Sequence, residues 1–248
     1  MNIIFLGTNG WYATNLANTT SILIISENFY IILDAGDGIY KIDQYIDDTK
    51  PIILLLSHVH LDHIIGLHTF AKFRFNQDIN IYGYKGIKKQ INQIIKHPYS
   101  SPFDDIPLPV QIHELNEGKH NIGFSLTCKF LVHADPSLGY RLELENKIIT
   151  YCTDTGLSPN LFELAKDADI FITECSYKPG QEEWRWPHLK IEEAAEIAVK
   201  SRVKKLVLTH FDASFYKTMD DRKRAEKKAK IIFPDTIVAF DDLELTVD

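Results

Sequence analysis

The segment SerHisValHisLeuAspHis, residues 57–63, places three histidines and an aspartate side by side behind the apolar run ProIleIleLeuLeuLeu. Neutral imidazoles and carboxylates are ligand types that zinc and related divalent ions accept. His58 and His60 lie two apart and share a face of extended chain, whereas Asp62 and His63 point elsewhere, so the four serve two ions more naturally than one. The plainer alternative is a polar turn in which Asp62 caps the helix-like stretch that follows. So many ligand-type side chains in so short a segment weigh against it. More candidates stand where strands would end: His133 after CysLysPheLeuVal, Asp154 after IleIleThrTyrCysThr, and His210 after LysLeuValLeuThr. Any one of them alone reads as an ordinary turn residue. Together they repeat the placement of the first cluster.

The elements that must carry these residues are legible as β-branched runs alternating with turn signals and helical patterns. Strands are expected near residues 2–6, 21–26, 30–33, 52–56 and 79–82, and helices near 38–46, 62–73 and 85–97. The Pro-rich stretch 97–109 can continue neither a helix nor a central strand and reads as a loop. Strands follow near 110–115, 124–132, 139–144, 148–153, 170–173, 206–209, 236–239 and 243–247, with helices near 159–165, 191–200 and 218–230. Both halves run from strands into helices. The expected fold class is α/β: one domain over residues 1–248, an αββα sandwich of two facing mixed β-sheets with helices outside, its halves spanning about 1–122 and 123–248.

Composition narrows the function classes. With 248 residues, 45% hydrophobic and 25% charged, the chain can bury a sizeable core. A net charge of −7 makes the molecule as a whole repel a polyanion, so any nucleic-acid contact is local. Cys128, Cys152 and Cys175 lack CxxC spacing, which argues against a disulfide framework or thiolate metal site and fits reduced thiols in a cytoplasm. No apolar stretch approaches the ~18 residues of a membrane span. The opening MetAsnIleIlePheLeuGly lacks the basic region of an export signal. A cytoplasmic protein without membrane contact is expected. AspAlaGlyAspGly, residues 34–38, lacks phosphate-loop spacing and reads as a turn that brings Asp34 and Asp37 near the layer of the ligands. His68, His97, His113 and His120 fall outside the pattern and read as structural.

The order HisXHisXAspHis at 58–63, His133, Asp154 and His210 resembles the metallo-β-lactamase superfamily over nearly the whole chain, from GlyThrAsnGly at 7–10 to ThrHisPhe at 209–211. The resemblance implies one metal held by His58, His60 and His133, a second held by Asp62, His63 and His210, and Asp154 bridging them. Two divalent ions are implied, zinc first, with manganese or iron as alternatives. The main zinc β-lactamases carry a cysteine where this chain has Asp154 and an arginine where it has His63, so antibiotic hydrolysis is not expected. Flavodiiron proteins have a glutamate at the place of His60, and the cap-bearing nucleases need a longer chain.

Residues 187–211, from ProHisLeuLys to ThrHisPhe, look like the tRNase Z branch, in which a helix-opening histidine, here His188, pairs with a glutamate, here Glu174. A carboxylate beside an imidazole raises its pKa and suits a proton donor to a departing alkoxide. The branch also carries a long arm that grips the tRNA elbow, between the residues matching His133 and Asp154. Here that interval reads as a hairpin of two strands, and Leu189 stands where the branch has a serine or threonine. The expected activity is therefore that of a binuclear phosphodiesterase in which a metal-bridging hydroxide, oriented by Asp62 and Asp154, attacks a small, cyclic or nucleotide-derived phosphodiester while His188 protonates the leaving oxygen. The alternatives are a carboxylic ester, thioester or lactone hydrolase, then a tRNA 3′ endonuclease or a non-catalytic metal-binding protein. The expected partner is the small-molecule or nucleotide substrate, with weak nucleic-acid binding at most and a homodimer left open. The basic run 217–230 reads as a solvated helix face. Trp184 and Trp186 either stack on a planar leaving group or, more usually, wedge their loop onto the core.

Overall fold

The structure, a computed structural model, describes residues 1–47, 50–178, 180–181 and 185–247. Its β-branched and leucine-rich runs form two seven-stranded sheets, in two compact units. The first unit comprises Met1–Thr8, Ala17–Asn116 and Phe240–Asp248, and the second Asn9–Leu16 and Glu117–Ala239.

The sheet of the first unit has the strand order Leu243–Thr246, Asn2–Gly7, Ser21–Ile25, Tyr30–Leu33, Ile52–Leu55, Ile79–Tyr84, Val110–Leu115. It is antiparallel as far as Tyr30–Leu33 and parallel beyond. Ile31, Ile32, Leu33, Ile52, Leu54 and Leu55 are fully buried. Parallel strands covered on both faces need such unbroken apolar runs.

The sheet of the second unit runs Thr236–Val238, Lys205–Thr209, Ile170–Glu174, Lys147–Cys152, Leu138–Leu144, Ser125–Phe130, Gly118–Asn121. Its first four strands are parallel and the rest form antiparallel hairpins. The helix Ile191–Lys200 presents Ala194, Ala195, Ile197 and Ala198 to a cluster containing Phe171, Leu206 and Leu208. Small helix residues let it approach the strands closely, and Glu193 closes its first turn by accepting from the Lys190 amide at 2.9 Å.

The mixed α/β architecture expected from the sequence is present, with local departures. The helix expected near 62–73 is one α-turn, Leu61–Ile64, continued as the 3-10 helix Ile65–Lys72. The Gly66 amide donates to Ala35 O at 2.8 Å and so leaves the α-helical ladder. The stretch near 38–46 is likewise a 3-10 helix, Asp37–Gln44, and the helix near 85–97 is only Ile87–Ile94. The strand Gly118–Asn121 carries no apolar alternation and was not expected; hairpin pairing with Ser125–Phe130 forms it. Between His133 and Asp154 the hairpin Leu138–Leu144/Lys147–Cys152 closes on Glu145 and Asn146, both at left-handed φ, 52° and 57°. Such a two-residue turn matches the strand twist and leaves no inserted arm at its tip. No helix among the described residues is long and apolar enough to cross a membrane.

Candidate metal centre

In the first unit the ligand-type residues follow the carboxyl end of a parallel strand, where open α/β sheets place their sites. Ile52–Leu55 leads through Leu56 and Ser57 to His58 and His60, and His60 precedes the helical turn bearing Asp62 and His63. The rings of His58 and His60 are 4.4 Å apart and those of His58 and His63 4.1 Å apart. Asp34, fully buried at φ 57°, organises the group. It accepts from the Ser57 amide at 2.7 Å, the Ser57 hydroxyl at 2.8 Å and His63 Nδ1 at 2.8 Å.

These bonds fix tautomers. Facing a carboxylate through Nδ1, a neutral His63 imidazole carries its proton there and its lone pair on Nε2. That Nε2 lies 3.5 Å from Asp62 Oδ2, another acceptor. Ser57 spends its proton on Asp34 and therefore accepts from His58 Nδ1, 2.9 Å away, which leaves the lone pair of His58 also on Nε2. Acceptors gathered in a buried place are a fit for a cation, and the donor set, nitrogen and carboxylate oxygen without thiolate, suits zinc, manganese or iron. Gly36 makes the approach possible: a Cβ there would lie 2.4 Å from Asp62 O and 2.5 Å from Thr20 O. Asp34 was placed near this layer by the sequence reading, but its hold on His63 was not foreseen, and neither was the role of Ser57. Replacing Asp34 by asparagine is expected to lower metal affinity about 10- to 100-fold through loss of this support, measured by competition with a chromogenic chelator.

In the second unit three neighbouring parallel strands end together, with Cys152 opposite Thr173 and Glu174 opposite Thr209. Asp154 and His210 stand just past two of these ends, at left-handed φ of 48° and 50°, and Glu174 closes the strand between them. Asp154 Oδ1 is 3.1 Å from His210 Nε2, and its Oδ2 is 3.7 Å from His133 Nε2. The Ser176 hydroxyl donates to His210 O at 2.9 Å and so receives from His210 Nδ1 at 3.2 Å. His210 Nε2 thus faces the carboxylate as a lone-pair donor, repeating the arrangement of His63 and Asp62. Ser176 is a supporting residue that the sequence reading missed; its only signal is the place behind Glu174.

Glu174 is fully buried and takes the Thr155 amide at 2.5 Å and His188 Nδ1 at 2.8 Å on the same oxygen. The His188 side chain is 14% exposed. Burial alone would pull its pKa down, but the charge and hydrogen bond of Glu174, with Asp154 and Asp212 nearby, outweigh burial and hold it up at about 9. Ligand-capable atoms of His188, Asp154 and His210 gather within 4.8 Å of one another. The remaining Nε2 of His188 is the atom able to reach a group bound beside Asp154 and His210.

The other candidates sort by contact. His68 Nδ1 meets Ile65 O, and His113 Nε2 meets Asn80 Oδ1 at 2.9 Å, as structural histidines do. Along the basic helix Met219–Ile232, Arg224 pairs with Asp221 and Lys230 with Glu226, while Arg222 is fully buried. Apart from Arg222 the basic residues of this helix are exposed and form a solvated face. Trp186 is 48% exposed, its ring 6.3 Å from that of His133 and its carbonyl bonded to Tyr177 Oη at 2.6 Å. Trp184 lies outside the described residues.

A sequence model of the Beta-lactamase superfamily domain matches residues 31–211. Ribonuclease Z of Bacillus velezensis is 24% identical over 311 aligned residues that cover 100% of this chain and 99% of the relative. Against the 248 residues here, dozens of those aligned positions have no counterpart. Among solved structures, the metallo-β-lactamase fold protein YhfI from Bacillus subtilis is similar with TM-score 0.82 and 20% identity, covering 98% of each chain. Human tRNase Z, short form, is similar with TM-score 0.77 and 20% identity over 100% of both chains. These likenesses identify the fold as the metallo-β-lactamase fold.

Proposed function

The chain belongs to the β-lactamase superfamily, as a metal-dependent hydrolase whose fold implies divalent metal ions, and from that premise we propose that it is a phosphodiesterase acting on a small, cyclic or nucleotide-derived diester. The observation that carries this reading is the buried Glu174–His188 pair beside Asp154 and His210. A carboxylic ester expels its alkoxide from a tetrahedral intermediate whose oxyanion drives it out, whereas a phosphodiester alkoxide departs poorly unless protonated.

The superfamily pattern assigns His58, His60 and His133 to one ion and Asp62, His63 and His210 to the other, with Asp154 shared. The donor set of each unit fits these assignments, and zinc is the first choice of metal. When bound, divalent ions neutralise charge developing on the phosphoryl oxygens and acidify water. The chain's own residues do the rest. Asp62 and Asp154 accept hydrogen bonds from the attacking water, take up the one proton it releases and aim it in line with the leaving group. His188, steered through Nδ1 by Glu174, holds a proton on Nε2 for the departing oxygen. Turnover of aryl phosphodiesters in preference to phosphomonoesters, thioesters and lactones by the metal-loaded protein is the expected result of a substrate panel. Preference for a lactone or thioester would hand the site to the carboxylic-ester reading.

The names of the relatives raise RNA 3′ processing as a second reading. The short hairpin between His133 and Asp154 and the net charge of −7 speak for smaller substrates. Binding of precursor tRNA is expected to be weak and to fall steeply with salt. Efficient 3′ cleavage of one such transcript at physiological ionic strength would overturn the small-substrate assignment.

A further inference from the structure

The turn that follows Gly10 has no part in the chemistry above, yet it is built with unusual care. Gly10 lies against the His210 imidazole so closely that a Cβ there would fall 2.5 Å from the ring. The Tyr12 amide donates back to Gly10 O at 3.0 Å across Trp11, whose φ is 71°. A three-residue turn of this sign is rare and strained, and more so for a bulky residue. Strain of this kind persists only where surroundings enforce it, and it clusters at functional sites.

The surroundings here are specific. Asn9, fully buried, donates from Nδ2 to Tyr12 O and to Thr14 Oγ1, both at 3.1 Å. Its Oδ1 receives Arg222 Nη2 at 2.5 Å, and the buried guanidinium lies 4.6 Å over the Phe211 ring while Nη1 donates to Ala239 O at 3.1 Å. Asn9–Gly10 also pairs as a short parallel strand with Phe211–Asp212, directly after His210. A buried arginine, a buried asparagine and a strand pair thus fix the turn to the segment that carries a metal-ligand candidate.

What the turn displays is aromatic. Trp11 is 67% exposed and Tyr12 42% exposed, with ring centroids 5.2 Å apart in an edge-on arrangement. A large aromatic side chain carried outward on an anchored turn offers a flat face on which a second ring can stack at little cost in backbone ordering. We propose that Trp11 and Tyr12 form a stacking platform for a planar aromatic group of the substrate, specifically the base of a nucleotide-derived diester whose phosphate lies beside His210. The proposal rests on the phosphodiesterase reading and narrows its substrate class. Arg222 and Asn9 are positioning residues for the platform.

The test is equilibrium binding to the metal-loaded, full-length protein by titration calorimetry, with adenosine monophosphate and ribose 5-phosphate as probes. The wild type is expected to prefer the base-containing probe roughly 5- to 100-fold, the range for one stacked base. Trp11→Ala should abolish that preference without altering ribose 5-phosphate affinity, Trp11→Phe should keep most of it, and Tyr12→Ala should reduce it. Trp11→Gly relieves the strained turn, so it should melt no lower than the wild type and still lose the preference. Equal affinity for the two probes in the wild type, or an unchanged preference in Trp11→Ala, overturns the platform. So does a wild-type dimer that Trp11→Ala converts to monomer in sedimentation velocity, because the aromatic pair would then serve self-association. Loss of the platform together with retained turnover of aliphatic diesters leaves the phosphodiesterase reading standing. A base preference at equilibrium with no turnover of any diester does the opposite.

Discussion

Replacing His188 by alanine is expected to leave the bound metal in place and slow hydrolysis of diesters with poor leaving groups by roughly 10²- to 10⁴-fold. The expectation follows from bonding. Glu174 occupies His188 Nδ1 through both oxygens, at 2.8 and 3.0 Å, so the ring works through Nε2 alone. A nitrophenolate leaves without help, so its diester should lose far less from the same substitution. Glu174→Gln keeps a hydrogen-bond acceptor but not the charge that holds the imidazole protonated, and should show the same contrast between leaving groups in a milder form. Metal content decides the rival role. His188 is within ligand range of Asp154 and His210, and loss of one ion in His188→Ala would make it a ligand instead. Equal losses on both leaving groups with intact metal would confine it to substrate binding or structure.

The ligand-type residues were legible because each stands directly behind an apolar run, and an apolar run of that length is a buried strand. His58, Asp154 and His210 sit past strand ends in the structure as they do in the sequence pattern. Two mixed sheets were legible for the same reason. The residues that fix the ligands' tautomers were not. Asp34 reaches His63 across 29 positions and Ser176 reaches His210 across 34, and no local pattern announces such a pair. The Glu174–His188 pairing spans 14 positions and came only from family resemblance. The 3-10 geometry of Ile65–Lys72 was hidden as well, because it depends on a tertiary bond from Gly66 to Ala35. Trp11 gave no periodicity or motif to read. Its meaning lies in a backbone angle and in a contact of the neighbouring Gly10 with His210.

Elemental analysis of the wild-type protein is expected to find about two transition-metal ions per chain in a nitrogen- and oxygen-rich shell, and Asp154→Ala is expected to disturb both. Asp154 divides its oxygens, Oδ1 at 3.1 Å from His210 and Oδ2 at 3.7 Å from His133, the two histidines that the superfamily pattern gives to different ions. Thr153 Oγ1 donates to Oδ1 at 2.8 Å and holds the carboxylate in that orientation. Losing an outer support lowers metal affinity about 10- to 100-fold; losing this shared anion should exceed that for both ions and remove activity with them. Alanine at φ 48° also strains the backbone, whereas asparagine tolerates that conformation. Asp154→Asn therefore separates charge from backbone. If charge sharing is the role of Asp154, the asparagine variant should fold with wild-type thermal stability in chelator yet fail to retain two ions on dialysis. Two tightly held ions in Asp154→Asn would instead show that the histidines and Asp62 suffice, and Asp154 would then be left with orienting water as its only function.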